Sequence, residues 1–157
     1  MTNSIRTCLW FRDGRGREAA EFYCSVIPNS RIGRTFSGDA GQGAFHVVDF
    51  TLDGVPYQIL DAGPHFTLTE AVSISVETPD QAETDRLWAV LTANGGQESV
   101  CGWLKDRFGV SWQIFPKRLT DLTLSADKTV SDRAMAAMMT QKKIDIAAIE
   151  AAVRGDA

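Results

Sequence analysis

Two heptapeptides carry nearly the same residues 55 positions apart. Gly54, Val55, Pro56, Tyr57, Gln58, Ile59 and Leu60 recur as Gly109, Val110, Ser111, Trp112, Gln113, Ile114 and Phe115, with four identities, an aromatic on an aromatic and an apolar on an apolar. Each copy reads as a glycine turn entering a short strand. Strand side chains alternate between faces, so Tyr57 with Ile59, and Trp112 with Ile114, are expected to bury one face while Gln58 and Gln113 point from the other. A chain that repeats a buried strand in this way is built from two like modules, each presenting a glutamine at the same place.

The flanking segments repeat too. Ile5 to Phe11 is β-prone, with Leu9 and Phe11 on one face and Cys8 and Trp10 on the other. Gly14 and Gly16 open a helix in which Ala19, Phe22, Tyr23, Val26 and Ile27 form the stripe of a helix lying on a sheet, and Pro28 with Asn29 ends it. Strands follow over Arg31–Ser37, Ala44–Leu52 and Val55–Leu60; a loop from Gly38 to Gly43 separates the first two, and Asp53–Gly54 predicts a tight hairpin between the others.

After a linker near Gly63–Thr69 the order begins again, with a strand over Ala71–Val76 and a helix capped by Thr78 with Pro79 at its first position. Gly95 and Gly96 end that helix, and strands near Glu98–Cys101, Trp103–Lys105 and Val110–Phe115 complete the copy. Thr84, Leu87, Trp88 and Leu91 repeat the spacing of Ala19, Phe22, Tyr23 and Val26, 65 residues on. The expected fold class is α+β: two tandem βαβββ modules, residues 1–62 and 70–118, forming a curved mixed sheet around a cleft within one domain of residues 1–157.

Residues 119–157 stand outside the repeat and read as a helical tail. A helix over Ser131–Thr140 carries Ala134, Met135, Met138 and Met139 on one stripe, and Asp145 caps a last helix closed by Gly155. A methionine stripe suits an adaptable partner surface or packing within the chain.

Bulk properties narrow the function classes. At 157 residues, 44% apolar and 23% charged, the chain suits a globular protein. A net charge of -4 with no clustered basic patch argues against nucleic acid. Arg12, Arg15 and Arg17 beside Asp13 read as a solvated helix start, with an anion site as the alternative. No apolar run reaches the roughly 20 residues of a membrane span, and no signal-peptide pattern opens the chain. Cys8, Cys24 and Cys101 stand at unpatterned spacings and read as reduced thiols. A cytoplasmic protein with no membrane partner is the expectation.

The paired βαβββ order, with Phe22–Tyr23, Pro28–Asn29–Ser30, Leu60–Asp61–Ala62–Gly63–Pro64, the phrase from Cys101 to Asp106, Gly109 to Ile114 and the tail from Met138 to Ile146, resembles the PhnB-like branch of the vicinal-oxygen-chelate superfamily, the glyoxalase and bleomycin-resistance fold. The resemblance implies a two-module glyoxalase-like fold, a homodimer and a small-molecule ligand. Members of this branch are often labelled demethylubiquinone methyltransferase. An enzyme using S-adenosylmethionine is expected to carry a glycine-rich turn between a strand and a helix. Gly38–Gly43 lies between two strands and reads as a hairpin loop.

In catalytic members of the superfamily a divalent metal is held by residues of the first and last strands of each module. Carried over on the 65-residue offset, those positions are Arg6 and Ala71 with Gln58 and Gln113. Arginine and alanine cannot ligate, and two amide oxygens are a poor set for a divalent ion. No cofactor is therefore expected; the alternative is a divalent metal held by His46, Gln58 and Gln113. His46 shares the parity of Val48 and Phe50 and reads as a core residue or a ligand contact. Asp49 has the opposite parity, Asp61 is expected to bind the turn at Gly63, and Lys105 with Asp106 to be exposed charges at a turn.

Gln58, Gln113, His46 and Trp103 form the expected ligand-binding set, since an aromatic wall beside polar amides suits a planar or partly apolar molecule. The functional reading is a protein that binds a small organic molecule without a catalytic metal. The alternatives are a metal-dependent isomerase, lyase or dioxygenase, an interaction module built on the methionine helices, and the methyltransferase of the family label. These residues leave open whether the protein is an enzyme.

Overall fold

The computed structural model describes residues 5–39, 41 and 43–156; Ala40 and Gln42 of the expected Gly38–Gly43 loop lie outside the described residues. Its contacts divide the chain into two units, Met1–Leu68 and Thr69–Ala157, each with its own sheet.

The first unit runs β1 (Thr7–Phe11), α1 (Gly16–Val26), β2 (Arg31–Asp39), β3 (Ala44–Leu52) and β4 (Val55–Asp61). Its strands lie in the order β1-β4-β3-β2, with β1 parallel to β4 and the other pairs antiparallel. The apolar stripe of α1 decides which face is core: Ala19, Ala20, Tyr23 and Val26 are buried, as are Leu9, Phe11, Val48, Phe50 and Ile59 of the sheet. Gly16 is required where the helix starts, because a Cβ there would come within 2.6 Å of the Ile59 side chain. Asp53 and Gly54 turn the expected hairpin with φ of 45° and 77°, the left-handed pair that matches the twist of the strands. In β2, Gly33 and Arg34 together face Asp49, since the register passes from Ile32 opposite Phe50 to Thr35 opposite Val48. This bulge re-aims Arg34 over Asp49.

The second unit runs β5 (Ser73–Thr78), α2 (Gln81–Thr92), β6 (Gln97–Glu98), β7 (Trp103–Lys105) and β8 (Ser111–Pro116), followed by α3 (Lys117–Thr123), α4 (Lys128–Met138) and α5 (Ile146–Arg154). The sheet order β5-β8-β7-β6 repeats that of the first unit, with the first strand again parallel to the last. These two four-stranded mixed sheets with carboxy-terminal helices are the two-module glyoxalase-like arrangement. α2 buries Thr84, Leu87, Trp88 and Leu91, as the periodicity predicts.

Its cap is not Thr78. Asp80 accepts from the Glu83 N–H at 2.9 Å, while Thr78 remains the buried last residue of β5, its hydroxyl 2.5 Å from that of Thr84. A carboxylate at the helix N-terminus meets both the open N–H groups and the positive end of the dipole, and Thr78 keeps its place opposite Pro116.

The tail is built into the second unit. Leu119, Leu122, Ala134, Ile144 and Ile149 form a buried cluster, and the Cys101 and Gly102 N–H groups donate to the Gln141 and Lys142 carbonyls at 2.8 and 2.7 Å. Asp145 caps α5 by accepting from the Ala148 N–H, and Gly155 closes it at φ 87°. The methionine stripe is divided: Ala134 and Met138 pack into the cluster, while Met135 and Met139 are exposed. α4 starts at Lys128, earlier than the pattern places it, because Asp127 accepts from the Thr129 and Val130 N–H groups. α3, seven residues long directly after β8, is too short to announce itself by periodicity.

Candidate functional site

Strand alternation places Cys8, Trp10, Val47, Asp49, Thr51, Gln58 and Leu60 on the face of the first sheet turned away from α1. Asp49 is its centre. One carboxylate oxygen accepts from Gln58 Nε2 at 2.7 Å; the other accepts from Arg34 Nη2 at 3.1 Å and Nε at 3.3 Å and pairs with Arg6 Nη1 at 3.1 Å. Burial of this carboxylate alone would raise its pKa, but the hydrogen bonds from Gln58, Arg34 and Arg6 prevail and hold it below the usual aspartate range. A carboxylate only accepts, so the NH₂ end of Gln58 is the end turned to Asp49. The Gln58 carbonyl is thereby left to face elsewhere, and among the described residues no donor meets it. Cys8 lies directly across β1–β4 from Gln58; burial of its sulfur and the nearby Asp49 charge raise the thiol pKa, against a hydrogen bond from the Leu60 backbone.

The second unit repeats the position with different neighbours. Gln113 pairs across strands with Ser75 and with Trp103, and its Nε2 lies 2.8 Å from Ser73 Oγ. Gln113 and Trp103, joined in the sequence reading, are thus brought together. Trp103 also lines a cavity of about 410 Å³ with Lys105, Glu70 and Ser111. Lys105 Nζ meets Glu70 at 2.5 Å, and the buried Ser111 hydroxyl has no partner among the described residues.

Four expectations are corrected. The β1–β4 and β5–β8 registers set Cys8, not Arg6, beside Gln58 and Ser75, not Ala71, beside Gln113. Cys8 and Ser75 stand 67 residues apart because the strand-to-helix turn is two residues shorter in the second module, a slip the helix offset cannot show.

His46 does not join Gln58. It lies on the α1 side of β3, opposite Asp61, with Nδ1 2.7 Å from Ser37 Oγ, and lines a separate groove of about 380 Å³ with Arg17 and Thr35.

Asp61 does not bind the Gly63 turn. It is buried and accepts from the Gly14 N–H at 3.2 Å and the Gly16 N–H at 2.8 Å, drawn to the open donors at the start of α1. Gly14 and Gly16 are therefore the glycines that sit at a strand-to-helix turn, and a carboxylate of the chain itself occupies them.

Asp106 is not an exposed turn charge. It is 3% exposed and accepts from the Phe108 and Val110 N–H groups at 2.8 and 3.1 Å and from Trp112 Nε1 at 2.8 Å. The basic residues of the first turn also have partners: Arg12 meets Thr67, Arg15 meets Glu18, and Arg17 meets Glu21.

The donor set does not fit a divalent metal. The one carboxylate beside Gln58 already faces two guanidinium groups, and His46 is on the opposite face of its strand. Among the described residues no group of three or more His, Cys, Asp or Glu side chains is placed to hold a metal ion. No helix among the described residues is long and apolar enough to cross a membrane.

A family model described as 3-demethylubiquinone-9 3-methyltransferase matches residues 3–115. The chain belongs to this PhnB-like family. The match ends within β8, so α3, α4 and α5 lie outside it. Among solved structures, the chain is similar to a putative 3-demethylubiquinone-9 3-methyltransferase, PhnB protein, from Bacillus cereus, with 28% identity and a TM-score of 0.63 over 72% of this chain and 99% of that one. It is similar in fold to the Pseudomonas aeruginosa protein PA1353, at 22% identity and a TM-score of 0.60 over 73% of this chain and 98% of that one. A looser likeness, at 14% identity and a TM-score of 0.46 over 71% of this chain and 90% of that one, is to the fosfomycin resistance protein FosX from Listeria monocytogenes complexed with Mn(II) and sulfate. No curated protein matches the chain.

Proposed function

We propose that this PhnB-like protein binds a small organic molecule on the sheet faces turned away from α1 and α2, with Gln58 and Gln113 as recognition groups, Trp103 as an aromatic wall and no catalytic metal. The observation that carries this reading is the Asp49–Gln58 contact. It fixes the amide orientation and presents a carbonyl acceptor, at a position that the fold repeats in Gln113. His46, on the other face of β3, stands outside this set. The methyl transfer in the family's name is not adopted, because Asp61 engages the N–H groups of the Gly14–Gly16 turn. The same reading takes the protein as a cytoplasmic homodimer; sedimentation of the purified chain tests the dimer.

The test is a thermal-shift screen of small organic acids, amides and amines, with hits confirmed by calorimetry. A true ligand raises the melting temperature of the wild type and loses affinity in Gln58→Leu and Gln113→Leu, both still folded by circular dichroism. Binding that neither substitution weakens would overturn the reading.

A further inference from the structure

We propose that the face of the first sheet turned away from α1 selects an anion, a small carboxylate with an apolar or aromatic body. This rests on the small-molecule reading above and specifies the ligand class for one of its faces. Arg6 and Arg34 converge on a single oxygen of Asp49, each at 3.1 Å, while Gln58 occupies the other. One carboxylate between two guanidinium groups leaves a positive charge uncompensated. Arg31, opposite Thr51 across the β2–β3 pair, adds another on the same face. Three arginines against one aspartate is a local inversion in a chain of net charge -4.

The inversion is also pre-organised. A guanidinium carries five N–H donors in a rigid plane; the edge that meets Asp49 fixes that plane and leaves other donors for a second carboxylate. Because Asp49 is held in its charged form by these same contacts, it orients the arginines without acting as a proton donor. Around the cluster the face turns apolar through the half-buried Trp10 and Leu60, with Val47 buried beside them. The Thr51 hydroxyl next to Asp49 is buried without a partner among the described residues, and the Gln58 carbonyl can accept a donor from the ligand. An acidic head and an apolar body fit this pattern; an ammonium group would meet two guanidinium groups.

A purely structural cluster, tying β2 and β3 to the segment before β1, makes a different prediction: its loss would lower stability with no effect on charge selectivity. The test uses three probes of one shape, trans-cinnamate, cinnamamide and protonated cinnamylamine. Binding is read by calorimetry and by the Trp10 indole N–H and arginine Nε–H signals in ¹H–¹⁵N spectra of the full chain. The expected result is saturable binding of cinnamate, at least about tenfold tighter than of the amide or the amine, and about tenfold weaker in Arg34→Met and Arg6→Met. Arg34→Lys, which keeps the charge but not the fork, is expected to fall between, and affinity falls as NaCl rises from about 0.05 to about 0.5 M. Equal binding of cinnamate and cinnamamide, unchanged by the arginine substitutions but lost in Gln58→Leu, would overturn the anion selectivity and leave the small-molecule reading standing. No saturable shift with any of the three probes would overturn the anion site outright, and a screen hit lost in Gln113→Leu alone would still support binding on the second module.

Discussion

Gln81 holds the Ile144–Ile146 segment with both ends of its amide: Nε2 donates to the Ile144 carbonyl at 2.8 Å, and Oε1 accepts from the Ile146 N–H at 2.9 Å. A residue at the first position of α2 thus fixes the start of α5, reaching 65 residues along the chain. Gln81→Leu removes both bonds and leaves two half-buried backbone groups without them. The expected cost is about 1–3 kcal/mol, seen in urea unfolding, together with faster hydrogen exchange at the Ile146 amide than at amides of α1.

Asp106 organises the turn between β7 and β8. Asp106→Ala strips the acceptors from two backbone N–H groups and the Trp112 indole; the Val110 and Trp112 bonds are buried and the Phe108 bond part-buried. Stability is expected to fall by roughly 3 kcal/mol, with a shift of the Trp112 indole N–H resonance. A loss below about 0.5 kcal/mol, typical of a surface site, would show that the carboxylate does not hold this turn.

Asp49 gives the protein a pH signature. Its native pKa lies below the ordinary 3.8, so its contribution is fully present above the unfolded value and is lost as pH falls through the lowered native one. Asp49→Asn should therefore be less stable at neutral pH, and between about pH 5 and pH 2 its stability should decline less steeply than that of the wild type. Denaturant melts across that range measure both.

Cys8 is exposed as a residue, yet burial of its sulfur raises the thiol pKa. Its alkylation by iodoacetamide is expected to be slow at neutral pH and still rising above the pH of about 8.5 at which a free cysteine is half ionised. Peptide mass spectrometry of labelled protein gives the rate at each pH. A plateau below that pH would contradict the environment found here.

Truncation after Leu124 does not simply remove a partner surface. It takes Ala134, Ile144 and Ile149 from the cluster that also holds Leu119 and Leu122. The shortened chain is expected to melt at a lower temperature, having lost several kcal/mol of burial. A truncated protein as stable as the full chain would show that the cluster contributes little.

Much of the architecture was legible because strands and helices bury faces with fixed periods. The Gly54 and Gly109 heptapeptides, the helix stripe at Ala19, Tyr23 and Val26 and its echo at Thr84, Trp88 and Leu91 each carry that period, and all fall where it places them. The Asp53–Gly54 turn was legible for a related reason, since two left-handed residues in a row have few candidates.

The site was less legible, because it depends on partners far apart in sequence. In the sequence Asp49 stands out only by its parity; nothing local shows that Arg6 and a bulged Arg34 reach it. Asp61 and Asp106 look like turn residues, and both are buried acceptors for N–H groups that turns and a helix start leave open. Residue type and spacing by themselves determined two βαβββ modules, their core faces and a glutamine at one repeated position, because periodicity is a property of the chain. Only the tertiary structure decided what each glutamine touches. Strand register and loop length are set by long-range pairing, and a shift of one residue turns every side chain of a strand to its other face.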